Sequence, residues 1–348
     1  MPSIIYHYPC PDGAFAALAA HLALQPASAA PLLYFPLTTW AKPAELSAIA
    51  AAVPAGDAVL LLDISGGRDF VAVLCARAAS VTLIDHHKAA FELLAEFGGA
   101  PPAAFASHCA LDASGCALAL RHLAPPGLPP ALAHAFALVE DGDLFRHALP
   151  ASRGFNAGLA ELKLEYDANK NPGLWAALLA LDPQALAASG SALLARQAEA
   201  RAEERARAFA VRVPLAAEAG GSGGAPAHLE CLAVLTAHPE LRSEAGAELA
   251  ALSAERGLAP AGLIAYVEAG AGEGNIKVSL RSTGDLDVAT VCRVYGGNGH
   301  KVRWAVAVAG GRVGREHCAL NDNSHTNPNT HTHPAECRQL HSGQGSRV

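Results

Sequence analysis

Short apolar, β-branched runs alternate with longer Ala/Leu-rich segments through the first half of the chain, and this alternation limits the fold more than any other feature. The runs are SIIYH, PLLYF, DAVLLLD and SVTLID, at residues 3–7, 31–35, 57–63 and 80–85. Strands that alternate with helices predict a parallel sheet with crossover helices. The segments AVLLL and VTLI are continuously apolar, which is typical of strands covered on both faces. We therefore expect an α/β domain with a ligand site beyond the carboxyl ends of its strands.

A second set of strands follows a long helical segment. Residues 183–212 are rich in Ala, with charges clustered late, and predict one helix that connects two domains. The runs VRVPL, ECLAVLT, GLIAYVE and NIKVSLRS then predict a smaller α/β unit. From residue 302 the sequence is rich in Asn, His, Thr and Ser without a period, which predicts a largely disordered tail. The expected divisions are a domain of residues 1–182, the helix 183–212, a domain of residues 213–301 and the tail 302–348.

Composition limits the classes of partner. The chain has 348 residues, 51% of them apolar, and a formal net charge of −7. Long duplex nucleic acid is bound mainly by phosphate neutralisation, so this charge predicts that any polyanionic partner is short. No uncharged run reaches the roughly 20 residues of a membrane span, and the start MPSIIYHY lacks the basic region of a signal peptide. We expect a cytoplasmic protein without a membrane partner, and a homodimer is compatible with the sequence.

Acids and histidines cluster where the predicted strands end. Individually each could be a helix cap, a turn residue or an ordinary histidine, and only their coincidence at the predicted ligand edge favours a site. Imidazole with carboxylate is the ligand set of Mn²⁺, Zn²⁺ or Fe²⁺, and paired ions are a common device in phosphoryl chemistry. The side chains of His86 and His87 point to opposite faces of an extended segment, so the two histidines should have different roles. The residues are His7, Cys10 and Asp12 after the first strand, Asp63 after the third, Asp85, His86 and His87 after the fourth, and Asp141 and Asp143 at the end of a helical run.

Five motifs occur in an order that resembles a known family. HYPCPDG, LLDIS, LIDHHK and VEDGDLF resemble motifs I to IV of the DHH phosphoesterases, and VSLRSTGDLDVATVCRVYGGNGH resembles their DHHA1 partner domain. The resemblance covers about residues 3–300 and is greatest for the branch of oligoribonucleases and cyclic-nucleotide phosphodiesterases. It implies a Rossmann-like, parallel-sheet DHH domain joined by a long helix to a smaller α/β DHHA1 domain.

The resemblance also implies metal ligands. One ion would be held by His7 and Asp63, with Cys10 standing where most of the superfamily has an Asp. The second ion would be held by Asp12, Asp63, His86 and Asp141, so that Asp63 bridges both. A Cys10 thiolate favours softer ions such as Zn²⁺, whereas a thiol would leave the first ion short of one ligand. The implied cofactor is two divalent ions, Mn²⁺ first, with Zn²⁺, Co²⁺ and Mg²⁺ as alternatives.

Three residues receive catalytic roles by the same resemblance. Asp63 bridges the ions, His87 faces the substrate phosphate, and Asp85 fixes the ring of a neighbouring histidine. A water or hydroxide between the ions would be the nucleophile. Asp143 is expected to matter less, as an acid near the surface. In the partner domain the glycine-rich segment brings backbone N–H groups close to an anion, and the implied substrate-binding residues are Arg281, Gly296, Gly297, Gly299 and His300.

The sequence departs from the family after GGNGH, where small residues and a closing strand are usual. Here KVRWAVAVAGG follows and then the unpatterned tail. Lys301, Val302 and Arg303 are what an in-frame splice junction would encode, so translated intron is one hypothesis for residues 302–348 and a natural disordered tail is the other. The packing argument predicts that residues 304–310 either add weakly to the sheet or hang loose, because the DHHA1-like sheet otherwise keeps an open edge.

The expected function is hydrolysis of phosphodiester bonds in short oligoribonucleotides, or in cyclic or bis-phosphorylated nucleotides, by two-metal hydroxide attack. Two alternatives stay open. The same metals could hydrolyse pyrophosphate or short polyphosphate, which needs a more cationic cleft. A non-catalytic nucleotide-binding protein is the alternative from another class, because Cys10 and the unusual C-terminus could cost the chain a metal and a strand.

Overall fold

The structure is a computed structural model that describes residues 2–25, 31–214, 228–267, 276–288, 291, 298–300 and 303–308. The chain forms two compact units, Met1–Glu203 and Glu204–Val348. The division falls inside the long helix predicted to connect two domains.

The first unit contains a five-stranded parallel sheet, which confirms the α/β prediction. Its strands are β1 (Pro2–His7), β2 (Leu33–Leu37), β3 (Ala58–Leu62), β4 (Ser80–Asp85) and β5 (Phe105–Cys109). They are ordered β2-β1-β3-β4-β5 and every neighbouring pair is parallel. All five strands therefore present their carboxyl ends at one edge.

Nine helices are described with this sheet, and they cover both of its faces. They are α1 (Pro11–Leu24), α2 (Pro43–Ala52), α3 (Arg68–Arg77), α4 (Lys88–Glu96), α5 (Gly115–Leu123), α6 (Pro130–Asp143), α7 (Ser152–Glu161), α8 (Leu174–Leu179) and α9 (Pro183–Ala206). Alternate residues of one strand enter different cores: Ile4 packs with α1, α5 and α6, and Ile5 packs with α2, α3 and α4. Across the described ranges, no helix combines the length and apolarity needed to span a membrane.

Four strands of this sheet differ from the prediction. The first begins at Pro2 rather than at residue 3, and the third covers Ala58–Leu62 rather than residues 57–63. The second strand begins at Leu33 rather than at residue 31, two residues later than its apolar run. The fifth strand, FASHC, was not predicted at all. It pairs with β4 alone and is only half-buried, so its sequence lacks the continuous apolarity of the inner strands.

The helices α7 and α9 pack closely through glycines. A Cβ atom at Gly190 would lie 1.9 Å from the carbonyl oxygen of Gly154 and 2.4 Å from the backbone nitrogen of Gly158. A Cβ at Gly158 would in turn lie 2.4 Å from the carbonyl oxygen of Leu186. Only glycine fits at positions 158 and 190, because the opposing atoms belong to the backbone and cannot rotate away from an added Cβ.

The second unit contains a mixed six-stranded sheet in the order β10-β11-β9-β8-β7-β6. Its described elements are β6 (Phe209–Pro214), β7 (His228–Leu235), a 3-10 helix (Pro239–Leu241), α10 (Arg242–Glu255), β8 (Ala261–Val267), β9 (Ile276–Ser282), β10 (Asn298–His300) and β11 (Arg303–Val308). β7 and β8 are parallel and the other neighbours are antiparallel. One core packs around α10 through Leu249 and Ile264, and another contains Leu229 and Leu280.

Three boundaries in this unit correct the prediction. The helix ends at Ala206 rather than at residue 212, because alternating valines in FAVRVP favour the strand that begins at Phe209. Residues 298–300 of the predicted loop form β10. Residues 303–308 form β11, which pairs with β9 over six residues. The tail was expected to be largely disordered from residue 302, but residues 304–308 take the first of the two outcomes predicted for residues 304–310, which is addition to the sheet. Residues 309–348 lie outside the described ranges.

Replacing Gly190 with Ala should lower the free energy of unfolding, although Ala is the better helix former by about 1 kcal/mol. The added methyl group would overlap the backbone of α7, and overpacking of this kind costs roughly 1–3 kcal/mol. Chemical denaturation followed by circular dichroism measures the difference. Ser189→Ala, at an exposed neighbouring position, is the control and should change little. Equal or higher stability of Gly190→Ala would contradict the close packing.

Candidate metal centre at the carboxyl edge of the parallel sheet

The predicted site residues lie where the connections of the sheet change direction. The chain runs from β1 outward to β2 and then returns to β3 on the other side of β1. In open parallel sheets this switch leaves a crevice beyond the carboxyl ends of the two diverging strands, and ligands bind there. His7 is the last residue of β1 and Asp63 immediately follows β3. The topology therefore brings together two side chains that are far apart in the sequence.

Asp63 is the centre of the cluster. Its carboxylate is 1% exposed and accepts a hydrogen bond from Nδ1 of His7 at 3.0 Å. Its other oxygen, Oδ1, lies 3.3 Å from Nε2 of His86 and 3.4 Å from Nδ1 of His87. Burial alone would raise the pKa of Asp63, but the contacts with His7 and His86 outweigh it and lower the pKa. The carboxylate form is therefore favoured in spite of burial.

The backbone of Asp63 is held in a conformation that residues other than glycine rarely adopt. Its φ is +60°, in the left-handed region, where Asp is among the few tolerated residues. The backbone N–H of Asp63 still donates to the carbonyl of Ile84 at 2.8 Å, so the residue stays tied to β4 as the chain turns. Such strain persists only where the surrounding structure imposes it, and it often occurs at functional sites.

Asp85 fixes the two histidines that follow it. Its Oδ1 accepts from the backbone nitrogens of His86 at 2.7 Å and His87 at 2.9 Å, and from Nδ1 of His87 at 2.9 Å. Because a carboxylate only accepts, Nδ1 of His87 carries the proton and Nε2 is the nitrogen that remains for a ligand. The hydrogen bond to Asp85 is the main reason why the pKa of His87 rises to about 9.

Asp12 is fixed by the first turn of α5, a contact that the sequence did not reveal. Its carboxylate oxygens accept from the backbone nitrogens of Gly115 at 2.7 Å and Cys116 at 3.0 Å. A Cβ at Gly115 would lie 2.6 Å from Cβ of Asp63, so only glycine lets α5 begin here. Ser114 caps the helix through its hydroxyl. The segment ASGC carried a detectable capping signal, Ser before an apolar helix, but the cap alone did not point to the site.

Asp143, rather than Asp141, lies in the cluster. Its Oδ2 is 3.4 Å from Nε2 of His86, whereas the oxygens of Asp141 accept from the backbone nitrogens of Ala148 at 3.0 Å and Leu149 at 3.2 Å. Residues two apart on a helix do not share a face, so the last turn of α6 can direct only one of these acids to the site. On this geometry we propose Asp143 as the ligand that the resemblance placed at Asp141, and Asp143 is not the surface acid that was expected.

Cys10 stands at the N-cap of α1 and does not join the cluster of side chains whose spacing suits a metal ion. Burial, with a smaller contribution from the charge of Asp63, raises the pKa of its thiol to about 12. The thiolate is the form that binds metals, so ligation by Cys10 would require an ion that displaces the thiol proton. Its role as a ligand stays a prediction.

Six side chains form two groups that can each hold a metal ion. In each group, one ligand atom per residue lies within 4.8 Å of the others, and the groups are His7, Asp63 and His87, and Asp12, His86 and Asp143. Oδ1 of Asp63 and Nε2 of His86 are buried without a hydrogen-bond partner, although they are 3.3 Å apart. Burial and the nearby carboxylates of Asp63 and Asp143 raise the pKa of Asp12 to about 8. A divalent cation would satisfy the two unpartnered atoms and relieve the repulsion, so the residues fit a metal centre.

The predicted substrate-binding residues are described only in part. Arg281 is half-buried on β9, where its guanidinium donates to the hydroxyls of Ser279 at 2.7 Å and Ser243 at 3.2 Å. Gly299 and His300 lie in β10, paired with Trp304 and Arg303. Gly296 and Gly297 lie outside the described residues. The role of these residues in binding substrate stays a prediction.

Several solved structures resemble this chain weakly. No protein-family model and no curated protein matches the sequence. An uncharacterised protein from Helicobacter pylori G27 is 14% identical, with a TM-score of 0.34 over 89% of this chain and 93% of that chain. PggH, a pGpG-specific phosphodiesterase from Vibrio cholerae, is 12% identical, with a TM-score of 0.40 over 88% and 92%. Both TM-scores are below 0.5, so neither likeness assigns a fold or a function to this chain.

Exchanging each of the two helix acids for its amide should separate their roles. Asp143→Asn removes a carboxylate beside His86, so the affinity for Mn²⁺ should fall by about tenfold or more, the loss expected even for an indirect partner of a metal. Asp141→Asn has the same size and charge change but should keep Mn²⁺ affinity and lower the melting temperature, because two backbone N–H groups lose a charged acceptor. Calorimetric Mn²⁺ titration and thermal unfolding report both effects. The opposite pattern would restore Asp141 as the ligand.

Proposed function

We propose that this protein is a metal-dependent phosphoesterase that hydrolyses phosphodiester bonds in short oligoribonucleotides, or in cyclic or bis-phosphorylated nucleotides. The observation that carries the proposal is the pair of His/Asp groups that meet at Asp63 and the adjacent histidines. The resemblance to the ordered motifs of the DHH phosphoesterases also supports it, because each of the four motifs in the first unit contributes a residue to the two groups.

Each residue of the cluster has a task in this proposal. His7, Asp63 and His87 would hold one ion, and Asp12, His86 and Asp143 would hold the other. Their imidazole and carboxylate donors suit Mn²⁺ and also accept Zn²⁺, Fe²⁺ or Co²⁺. Bound divalent ions supply positive charge at the scissile phosphate and an acidified water as the nucleophile. The protein's own contribution is to fix these six side chains before substrate arrives.

The surrounding hydrogen bonds explain how the side chains are fixed. Asp85 holds the ring of His87 by Nδ1, which leaves Nε2 as the nitrogen available to an ion. The N-terminus of α5 holds both oxygens of Asp12 and adds the positive end of a helix dipole. Asp63 is held by His7 and by its own constrained backbone. Rigid support of this kind reduces the reorganisation needed during the reaction.

The charge of the chain supports a small substrate. A net charge of −7 opposes binding of a long polyanion but tolerates a substrate of a few nucleotides held by local groups. We propose that the second unit binds the part of the substrate that is not cleaved, with Arg281 and the glycine-rich segment at residues 296–300 as the candidate contacts.

Side-by-side assays with Mn²⁺ test the proposal. The full-length protein should hydrolyse a dinucleotide or a cyclic dinucleotide and leave pyrophosphate intact. Asp63→Ala should lower kcat/KM by several orders of magnitude, because Asp63 contacts His7, His86 and His87 at once. Asp69→Ala, at an exposed acid on α3, is the matched control and should retain activity.

Three results would reject the proposal. Turnover of pyrophosphate alone would replace it with pyrophosphatase activity. Binding of a nucleotide with no Mn²⁺ bound and no turnover would identify a non-catalytic binding protein. Activity of Asp63→Ala equal to that of the wild type would remove the metal centre from the mechanism.

A further inference from the structure

We propose that a cavity beside the metal centre is a nucleoside subsite that takes the terminal base of the substrate without a further phosphate. The inference rests on the proposed function, and it assigns a specificity that the cluster itself does not provide. The cavity has a volume of about 320 Å³ and shares Asp63, Asp85 and His87 with the cluster. A group attached to a phosphate at the metal centre would therefore lie next to this cavity.

The size of the cavity fits one nucleoside. Pockets for small ligands usually measure about 300–1,000 Å³, and a volume of about 320 Å³ lies at the lower end of that range. One base with its sugar fits such a space, whereas a chain of several nucleotides would have to continue elsewhere. The cavity therefore defines one end of the substrate.

Part of the lining is apolar. Leu46, Ile64 and Leu93 line the cavity, and Ile64 and Leu93 are 7% and 2% exposed. A flat heteroaromatic ring covers these three side chains better than a charged phosphate does, because a phosphate placed against them would lose hydration without gaining hydrogen bonds from them. The apolar wall thus favours the base as the group that enters.

An exposed tryptophan lies within a turn whose other residues line the cavity. Thr38, Thr39 and Ala41 line the cavity, and the backbone of Ala41 donates to Thr38 at 3.1 Å to close a tight turn. Trp40 lies within this turn and is 72% exposed. Exposure of an indole is costly, and aromatic side chains beside nucleotide sites stack on bases of any identity. An ordinary surface tryptophan is the plain alternative, but it does not explain why the turn lies against the cavity.

Two acids in the lining of the cavity disfavour a second phosphate. Glu92 and Glu96 lie one turn apart on α4 and both line the cavity, and the basic residues of the lining are Arg68 and, at the metal centre, His87. Lys88 is paired with Glu92 at 3.2 Å, but this pair is exposed and largely screened. A terminal phosphate would face two carboxylates, and a neutral nucleoside would not. The preferred substrate therefore has an unphosphorylated nucleoside on this side of the cleaved bond.

Tryptophan variants test the stacking contact in the full-length protein. The probe is a dinucleotide whose bridging ester oxygen is replaced by methylene, titrated in the presence of Mn²⁺. It should quench the fluorescence of the wild type and also that of Trp175→Phe. In the wild type the indole of Trp175 packs against His21 and Tyr34. Trp40→Phe should bind with similar affinity but without this quenching, and Trp40→Ala should bind about tenfold more weakly. For the hydrolysable dinucleotide, Trp40→Ala should raise KM and change kcat little.

The outcomes separate this subsite from the proposed function. Unchanged affinity of Trp40→Ala, or quenching that persists in Trp40→Phe, would overturn the subsite even if the enzyme is active. Absence of any phosphodiester turnover, with quenching that still depends on Trp40, would overturn the function and keep the nucleoside site.

Terminal phosphates test the role of the acids. The wild type should bind the methylene dinucleotide more tightly than the same compound carrying an additional phosphate on the nucleoside that enters the cavity, so both the 3′- and the 5′-phosphorylated forms are measured. Glu96→Gln should reduce this discrimination several-fold. Glu161→Gln, at an exposed site on α7, is the matched control and should preserve it. Equal affinity of the wild type for all three compounds, or no effect of Glu96→Gln, would remove the charge argument.

Discussion

The buried carboxylate of Asp63, held among three imidazoles, is the interaction on which the candidate site depends. It contacts His7 from β1 and both histidines that follow β4, so it joins three strand ends. The turn after β3 accepts a left-handed backbone to place it there, and α5 begins with glycine because Asp63 fills the space where a side chain would lie. Local conformational cost is thus accepted at several positions to keep one charged group in place.

Much of the first unit could be predicted from the sequence because its inner strands are buried on both faces. The run SVTLID became β4 with the predicted bounds, and the acids and histidines after β1, β3 and β4 meet at the edge that the topology rule indicates. β5 was missed because an edge strand needs no continuous apolarity. Asp141 and Asp143 could not be told apart because the phase of the last helical turn decides which acid faces inward.

The second unit was harder to predict because long-range pairing determines it. The sequence left two outcomes open for residues 304–310, and the antiparallel register with β9 makes residues 303–308 a strand. The start of β6 was hidden in the same way by the Ala-rich helix before it. The positions at which packing requires glycine could not be predicted either. Nothing in the sequence indicates that Gly190 contacts Gly154, or that Gly115 contacts Asp63, because each requirement comes from an element distant in the chain.

The crowding of Asp12, Asp63 and Asp143 around His86 has a consequence for folding as well as for chemistry. These side chains come from β1–α1, the turn after β3, the start of α4 and the end of α6, so a cation at this point would act as a cross-link between four distant segments. Ligands that bind only the folded chain raise its stability in proportion to the logarithm of their concentration. The free energy of unfolding of the first unit would therefore rise with the concentration of divalent ions. Chelation would remove the cross-link at the carboxyl edge of the sheet and lower it.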